Sequence, residues 1–192
     1  MRRILYGIVA VCAAATALAA QASSAPTTKI ELRPFFGASI PTGDQRDLYG
    51  EEPIFGLQSA LELKPTFHVV GSFGWVPSKT TYAVGDTDVD IFQYDVGVEF
   101  SLVRPMASGW EFRPFLGLGA GGRSYAFAAS QLNDETCLSG YGALGSELQM
   151  GRTAIRFEAR DNVFCYKSPI TGIESETRND VGLALGLAYH FR

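Results

Sequence analysis

From Val181 to the end, large apolar residues occupy every second position: Val181, Leu183, Leu185, Leu187, Tyr189 and Phe191. Gly182, Ala184, Gly186, Ala188 and His190 fill the alternate positions. Period-two alternation of this length predicts a β-strand with two unlike faces. The same alternation recurs along the chain and predicts about eight strands, at 29–40, 54–64, 67–77, 89–103, 110–126, 137–150, 154–166 and 180–191. Each is near or above the roughly 9–11 residues that a tilted transmembrane strand requires. The connections alternate in length. Those at 64–66, 104–109 and 150–153 are short, whereas 41–53, 78–88, 128–136 and 167–179 are longer and polar. Short turns on one rim and longer loops on the other are the pattern of an outer-membrane barrel, with both termini on the periplasmic, short-turn side.

The second face decides which barrel this is. A soluble barrel keeps its apolar face inside, whereas a membrane barrel turns it to lipid. Gly182, Ala184, Gly186 and Ala188, with Gly117, Gly119 and Gly121, make the second face small. The narrow interior of eight strands has room for small residues and a few long ones. Parity also places Glu31, Arg33, Glu62, Lys64, Asp95, Glu99, Glu111, Arg113, Arg123, Glu147, Arg156, Glu158 and Arg160 on that face. Charges persist in an interior only when paired and hydrogen-bonded. The expected fold is therefore all-β: an eight-stranded antiparallel up-and-down transmembrane barrel. Its lumen is expected to hold a salt-bridge network of Arg33, Glu62, Glu99, Arg113, Glu147, Arg156 and Glu158. Aromatic girdles are expected at Phe67, Trp110 and Tyr189 on the short-turn rim, and at Trp75, Tyr82, Tyr125 and Tyr166 on the other.

One string occurs twice. ELRPFFG begins at Glu31 and EFRPFLG at Glu111. Each opens a strand and puts an acid, a base, a ring and a glycine on the inner face. Strands one and five lie across a closed barrel from each other, so the two patches are expected to meet in the lumen. Proline removes a ladder donor, and a bulge or irregular pairing is expected at Pro34 and Pro114.

Composition narrows the partners. The 192 residues carry 16 Lys and Arg against 20 Asp and Glu, a formal charge of −4, which argues against nucleic acid. Arg2 and Arg3, an Ala-rich apolar stretch over 4–20, and the small-x-small Ala20-Gln21-Ala22 read as a secretory signal peptide over 1–22, leaving a barrel domain at 23–192. An uncleaved N-terminal anchor is the alternative. Export implies an oxidising compartment, in which Cys137 and Cys165 near the long-loop ends of strands six and seven are candidates for a disulfide. Parity sets them on opposite faces if Glu147 and Arg156 share the lumen, so the bridge needs a bulge near 160–162.

With these features the chain resembles the small eight-stranded outer-membrane barrels of the OmpA-like, OmpX-like and OmpW-like type. The likeness rests on WEFRPFLGLGAG at 110–121, the leader, and LALGLAYHF at 183–191. It implies a place in the bacterial outer membrane of a Gram-negative cell, in contact with outer-membrane lipids and lipopolysaccharide. It implies that the barrel-assembly machinery reads the terminal strand through Tyr189 and Phe191. The chain departs from the pattern in placing Arg192 after the final ring. No further periplasmic domain is expected after the barrel.

Chemistry is sparse. His68 and His190 fall near the short-turn rim on non-adjacent strands, without an evident serine partner, so no catalytic residue is assigned. No cofactor and no metal site are expected. GDTDVD at 85–90 lacks the spacing of a calcium loop. The expected role is structural, or surface interaction through the loops with an unidentified partner. The alternatives are a narrow, porin-like channel or conduit for small hydrophobic solutes, a soluble ligand-binding barrel, and a lipid A-modifying enzyme.

Overall fold

The computed structural model describes residues 29–43, 46, 50–82, 85–107, 109–128, 135–166 and 176–191. The leader expected at 1–22 lies outside them. Eight long strands form the barrel: β1 Lys29–Pro41, β2 Glu52–Lys64, β3 Phe67–Tyr82, β4 Gly85–Ser101, β5 Glu111–Phe127, β6 Glu135–Met150, β7 Thr153–Tyr166 and β8 Glu176–Phe191. Each pairs antiparallel with its neighbours in sequence, and β1 closes on β8 from Ile30 opposite Phe191 to Pro41 opposite Asp180. Closure leaves no free sheet edge, which is the condition for strands to cross a bilayer. A two-residue ladder, Arg104–Pro105, folds back on Glu111 and Phe112 in the turn before β5. Gly109 and Gly151 hold positive φ (79° and 63°) in the short turns, a conformation that side-chain-bearing residues rarely adopt.

The strands run further at the long-loop end than the sequence indicates. The expected loop at 78–88 is mostly hairpin: Lys79 lies opposite Asp88 and Thr80 opposite Thr87, up to Tyr82 opposite Gly85. β8 likewise begins at Glu176 and pairs from there with Tyr166. The alternation is hard to read in these stretches because the two faces exchange polarity. Ile54, Val76, Val89, Ile91, Tyr125, Cys137 and Phe164 form a buried cluster inside the barrel's outer end. Lys79, Asp88, Asp90 and Thr136 are exposed on its outside. This is the polarity of a water-soluble barrel, so these extensions stand above the lipid. At the transition, Trp75 Nε1 donates to Asp90 Oδ1 at 2.8 Å, a ring with one wet edge as an interfacial girdle requires.

Below that level the polarity is inverted. Leu116, Leu118, Leu144 and Leu187 are each 60–65% exposed, and Phe36, Val96, Phe100 and Phe157 stand out beside them. An apolar belt of this extent on an aqueous protein would be an aggregation site, whereas against acyl chains it is solvated. Tyr125 departs from the expected girdle, since it points inward and is 2% exposed. The side chains of Tyr82 and Tyr166 lie outside the described residues.

Pairing is irregular at Pro34, as expected, but neither proline produces a bulge. The β1–β8 ladder skips Arg33 and Pro34 and resumes in the same register at Phe35 opposite Gly186. Pro114 pairs with Ser146 on β6 but lies one residue beyond the end of the β4 ladder at Ser101 opposite Phe115. In both places the missing N–H falls where no ladder bond is made.

Candidate functional site: a charge-filled lumen

The repeated string shows how the lumen is built. An i, i+2 spacing on a strand places two side chains on one face. Arg33 therefore reaches back to Glu31, with Nε to Oε2 at 2.9 Å, and Arg113 reaches back to Glu111, with Nη2 to Oε2 at 2.8 Å. Two residues on, each phenylalanine lies against a glycine of the next strand. Phe35 is opposite Gly56 and Phe115 opposite Gly145, and a Cβ on either glycine would run into the ring. The repeat is thus one local device used twice: a same-strand ion pair above a ring that covers a bare glycine. Both copies border the same small cavity.

From these starts a connected network crosses the barrel. Arg33 on β1 donates to Glu99 on β4 at 3.1 Å. Arg156 on β7 reaches the same Glu99 at 2.5 Å, Glu158 at 2.9 Å and Glu147 at 3.7 Å. Arg160 joins Glu158 at 2.8 Å to Asp95 at 3.2 Å. Gln58 donates to Glu158 at 3.2 Å. Nearer the outer end, Arg123 holds Asp180 at 2.5 Å, and Asn162 donates to the other Asp180 oxygen at 2.8 Å. Three of the guanidiniums also stack on inward rings: Arg156 over Phe115 at 3.5 Å, Arg160 over Tyr141 and Arg123 over Phe164 at 4.0 Å. Paired on one side and stacked on the other, each keeps its charge without bulk water.

Of the expected network, Arg33, Glu99, Glu147, Arg156 and Glu158 are buried and connected. Glu62 and Arg113 stand apart. Glu62 pairs with Lys29 at 3.1 Å on the rim, and Arg113 is satisfied by Glu111 within its own strand. Both sit at the short-turn end, where water competes for the charge. Asp180 is absent from the expected network because it falls at a predicted strand boundary, although it shares the parity of Gly182 and Ala184. His68 and His190 are expected apart, since their strands are not neighbours. In fact both imidazoles turn to Glu31 on β1, His190 Nδ1 at 3.0 Å and His68 Nε2 at 3.6 Å from Oε1.

Cys137 and Cys165 are not bridged in this structure. The β6–β7 register is uniform from Met150 opposite Thr153 to Ser139 opposite Phe164, with no bulge at 160–162. Cys137 therefore lies in the lumen while Cys165 alternates with inward Phe164, and the thiols are unbridged. Tyr189 and Phe191, the expected assembly signal, face outward and meet edge to face at 4.8 Å.

The packed lumen leaves little space. Two cavities of about 10 Å³ lie within it, one against Gln58, Glu158 and Arg160 and one beside Arg33, His68 and Phe115. Each has room for about one water.

No protein-family model matches the sequence, and no curated protein does. Solved structures do match in fold. Neisserial surface protein A (NspA) aligns with a TM-score of 0.62 at 9% identity, over 85% of this chain and 97% of that one. The N-terminal β-barrel domain of Pseudomonas aeruginosa OprF aligns at 0.54 and 10% identity, over 85% and 97%. Ail, the attachment invasion locus protein of Yersinia pestis, in complex with the heparin analogue sucrose octasulfate, aligns at 0.52 and 17% identity, over 85% and 99%. The chain thus has the closed eight-stranded fold of the small outer-membrane barrels.

Proposed function

We propose that this chain, with the fold of the small outer-membrane barrels, is a non-enzymatic outer-membrane protein. Its role is structural, or surface interaction through the loops above the bilayer. The observation that carries this is the lumen. An ion-pair network spans it from β1 to β7, an apolar cluster caps it, and the two cavities beside the network are of single-water size. A solute larger than water has to break charge pairs to pass, which speaks against a channel or a conduit through the lumen. Both imidazoles contact a carboxylate, which is not a nucleophile–base arrangement for acyl transfer. Lipid and lipopolysaccharide would cover the belt, and the barrel-assembly machinery would engage Tyr189 and Phe191 during insertion. A binding role for the loops is supported by analogy of fold with Ail, which was crystallised with a heparin analogue.

Reconstituted in planar bilayers, the purified barrel is expected to give no discrete conductance steps, and to fractionate with outer membranes as a species that migrates differently before and after heating. Reproducible single-channel steps would establish the conduit instead.

A further inference from the structure

Carboxylates gather at the short-turn end of the lumen. Glu31, Glu99 and Glu147 face Arg33, Arg156 and the His190 ring, Glu62 pairs with Lys29, and Arg113 is engaged by Glu111. Glu31 is 1% exposed, and its two oxygens are used differently. Oε2 takes the Arg33 guanidinium, whereas Oε1 has no conventional hydrogen bond and faces the imidazoles. His68 is 2% exposed, and neither of its ring nitrogens has a hydrogen-bond partner. Its Nε2 points at Glu31 Oε1 from 3.6 Å, too far for a hydrogen bond. A buried imidazole is a good donor to metals, and one left unpaired in this way is destabilising unless something binds it.

We propose that Glu31, Glu62 and His68 form a binding site for a zinc-class divalent cation at the periplasmic end of the lumen. One ligand atom from each of the three lies within 4.8 Å of the others. Bonds of about 2.0–2.2 Å to nitrogen and oxygen put tetrahedral ligands about 3.3–3.5 Å apart, so the His68–Glu31 spacing already fits. Glu62 has the freedom to adjust. It sits on the rim and is held by Lys29, whose side chain is 47% exposed. The Lys29 ammonium now supplies positive charge at Glu62, and a cation arriving from the periplasm would displace it. Water would complete the coordination. A second triad, Glu31, Glu147 and His190, is equally compact. There, however, His190 Nδ1 already lies 3.0 Å from Glu31 and Nε2 3.5 Å from Glu147, so that ring is bracketed by two carboxylates, whereas His68 stands 3.6 Å from Glu31. Spacing along the chain does not show the site, because its ligands come from three strands, Glu31 from β1, Glu62 from β2 and His68 from β3.

The test is calorimetric titration of zinc chloride into the full mature barrel, refolded in detergent micelles without a histidine tag. One ion per barrel is expected. His68→Gln should weaken binding by at least about tenfold, and Lys29→Ala, at the exposed rim, should tighten it by removing the competing ammonium. Should His68→Gln fail to refold, as judged by its gel shift on heating, the wild-type barrel still decides: zinc must move the ¹⁵N resonance of His68 Nε2. Absence of saturable binding overturns the proposal. So does an unmoved His68 resonance, unchanged or weaker affinity in Lys29→Ala, or a greater loss from His190→Gln than from His68→Gln.

Discussion

Arg156→Ala is expected to destabilise the folded barrel by about 3–5 kcal/mol, the range for removing one partner of a buried ion pair. Its guanidinium touches Glu99, Glu158 and Glu147 and covers the Phe115 ring, with only 5% of the side chain exposed. Truncation leaves Glu99 with Arg33 and Glu158 with Arg160, but it removes the guanidinium 3.7 Å from Glu147 and opens space beside Phe115. Arg156→Lys should fall between the variant and the wild type, because one ammonium cannot fork to two carboxylates and stack at once. Urea titration of folding into lipid vesicles, read by the mobility shift on heating, measures both. A cost of under about 1 kcal/mol for Arg156→Ala would mean that the network adds no more than an exposed pair does.

Leu118→Arg should cost about 2–4 kcal/mol in the same titration, the penalty for a guanidinium on the lipid face near the midplane. Leu118 is 60% exposed and lies midway along the outward row of β5, between Phe112 and Ser124. On a surface in water the same exchange would be nearly neutral, within about 0.5 kcal/mol. Thr136→Arg supplies that comparison, since Thr136 is exposed on the barrel extension above the lipid. Equal costs at the two positions would remove the distinction between belt and extension.

The arrangement of the strands was legible because one property, period-two alternation, fixes both the strands and their faces. All eight predicted strands exist, and the parity of Glu31, Arg33, Glu99, Glu147, Arg156 and Glu158 placed each of them in the lumen. The rest depended on information that parity does not carry. The inner face turns apolar above the lipid, so the ends of β3 and β8 read as loop. Which acid meets which base depends on the shear of the closed sheet, and so Arg33 finding Glu99, or two histidines converging on Glu31, could not be read from spacing. The repeat around Pro34 and Pro114 was visible, but its use was not, because the glycines under Phe35 and Phe115 belong to other strands. For the cysteines, parity alone was the better guide, since the bulge invoked to reconcile a bridge does not exist.

The orientation of the barrel wall, with large apolar residues to lipid and small and charged ones to the lumen, can be tested at adjacent residues. Leu187 is 63% exposed and Ala188 2%. With leucine and alanine methyls labelled in a bilayer disc containing a lipid with a nitroxide midway along its acyl chain, the methyls of Leu187, Leu118 and Leu144 should broaden. Those of Ala188, Ala154 and Ala143 should keep most of their intensity. Broadening of the alanine set with the leucines spared would show that the wall faces the other way.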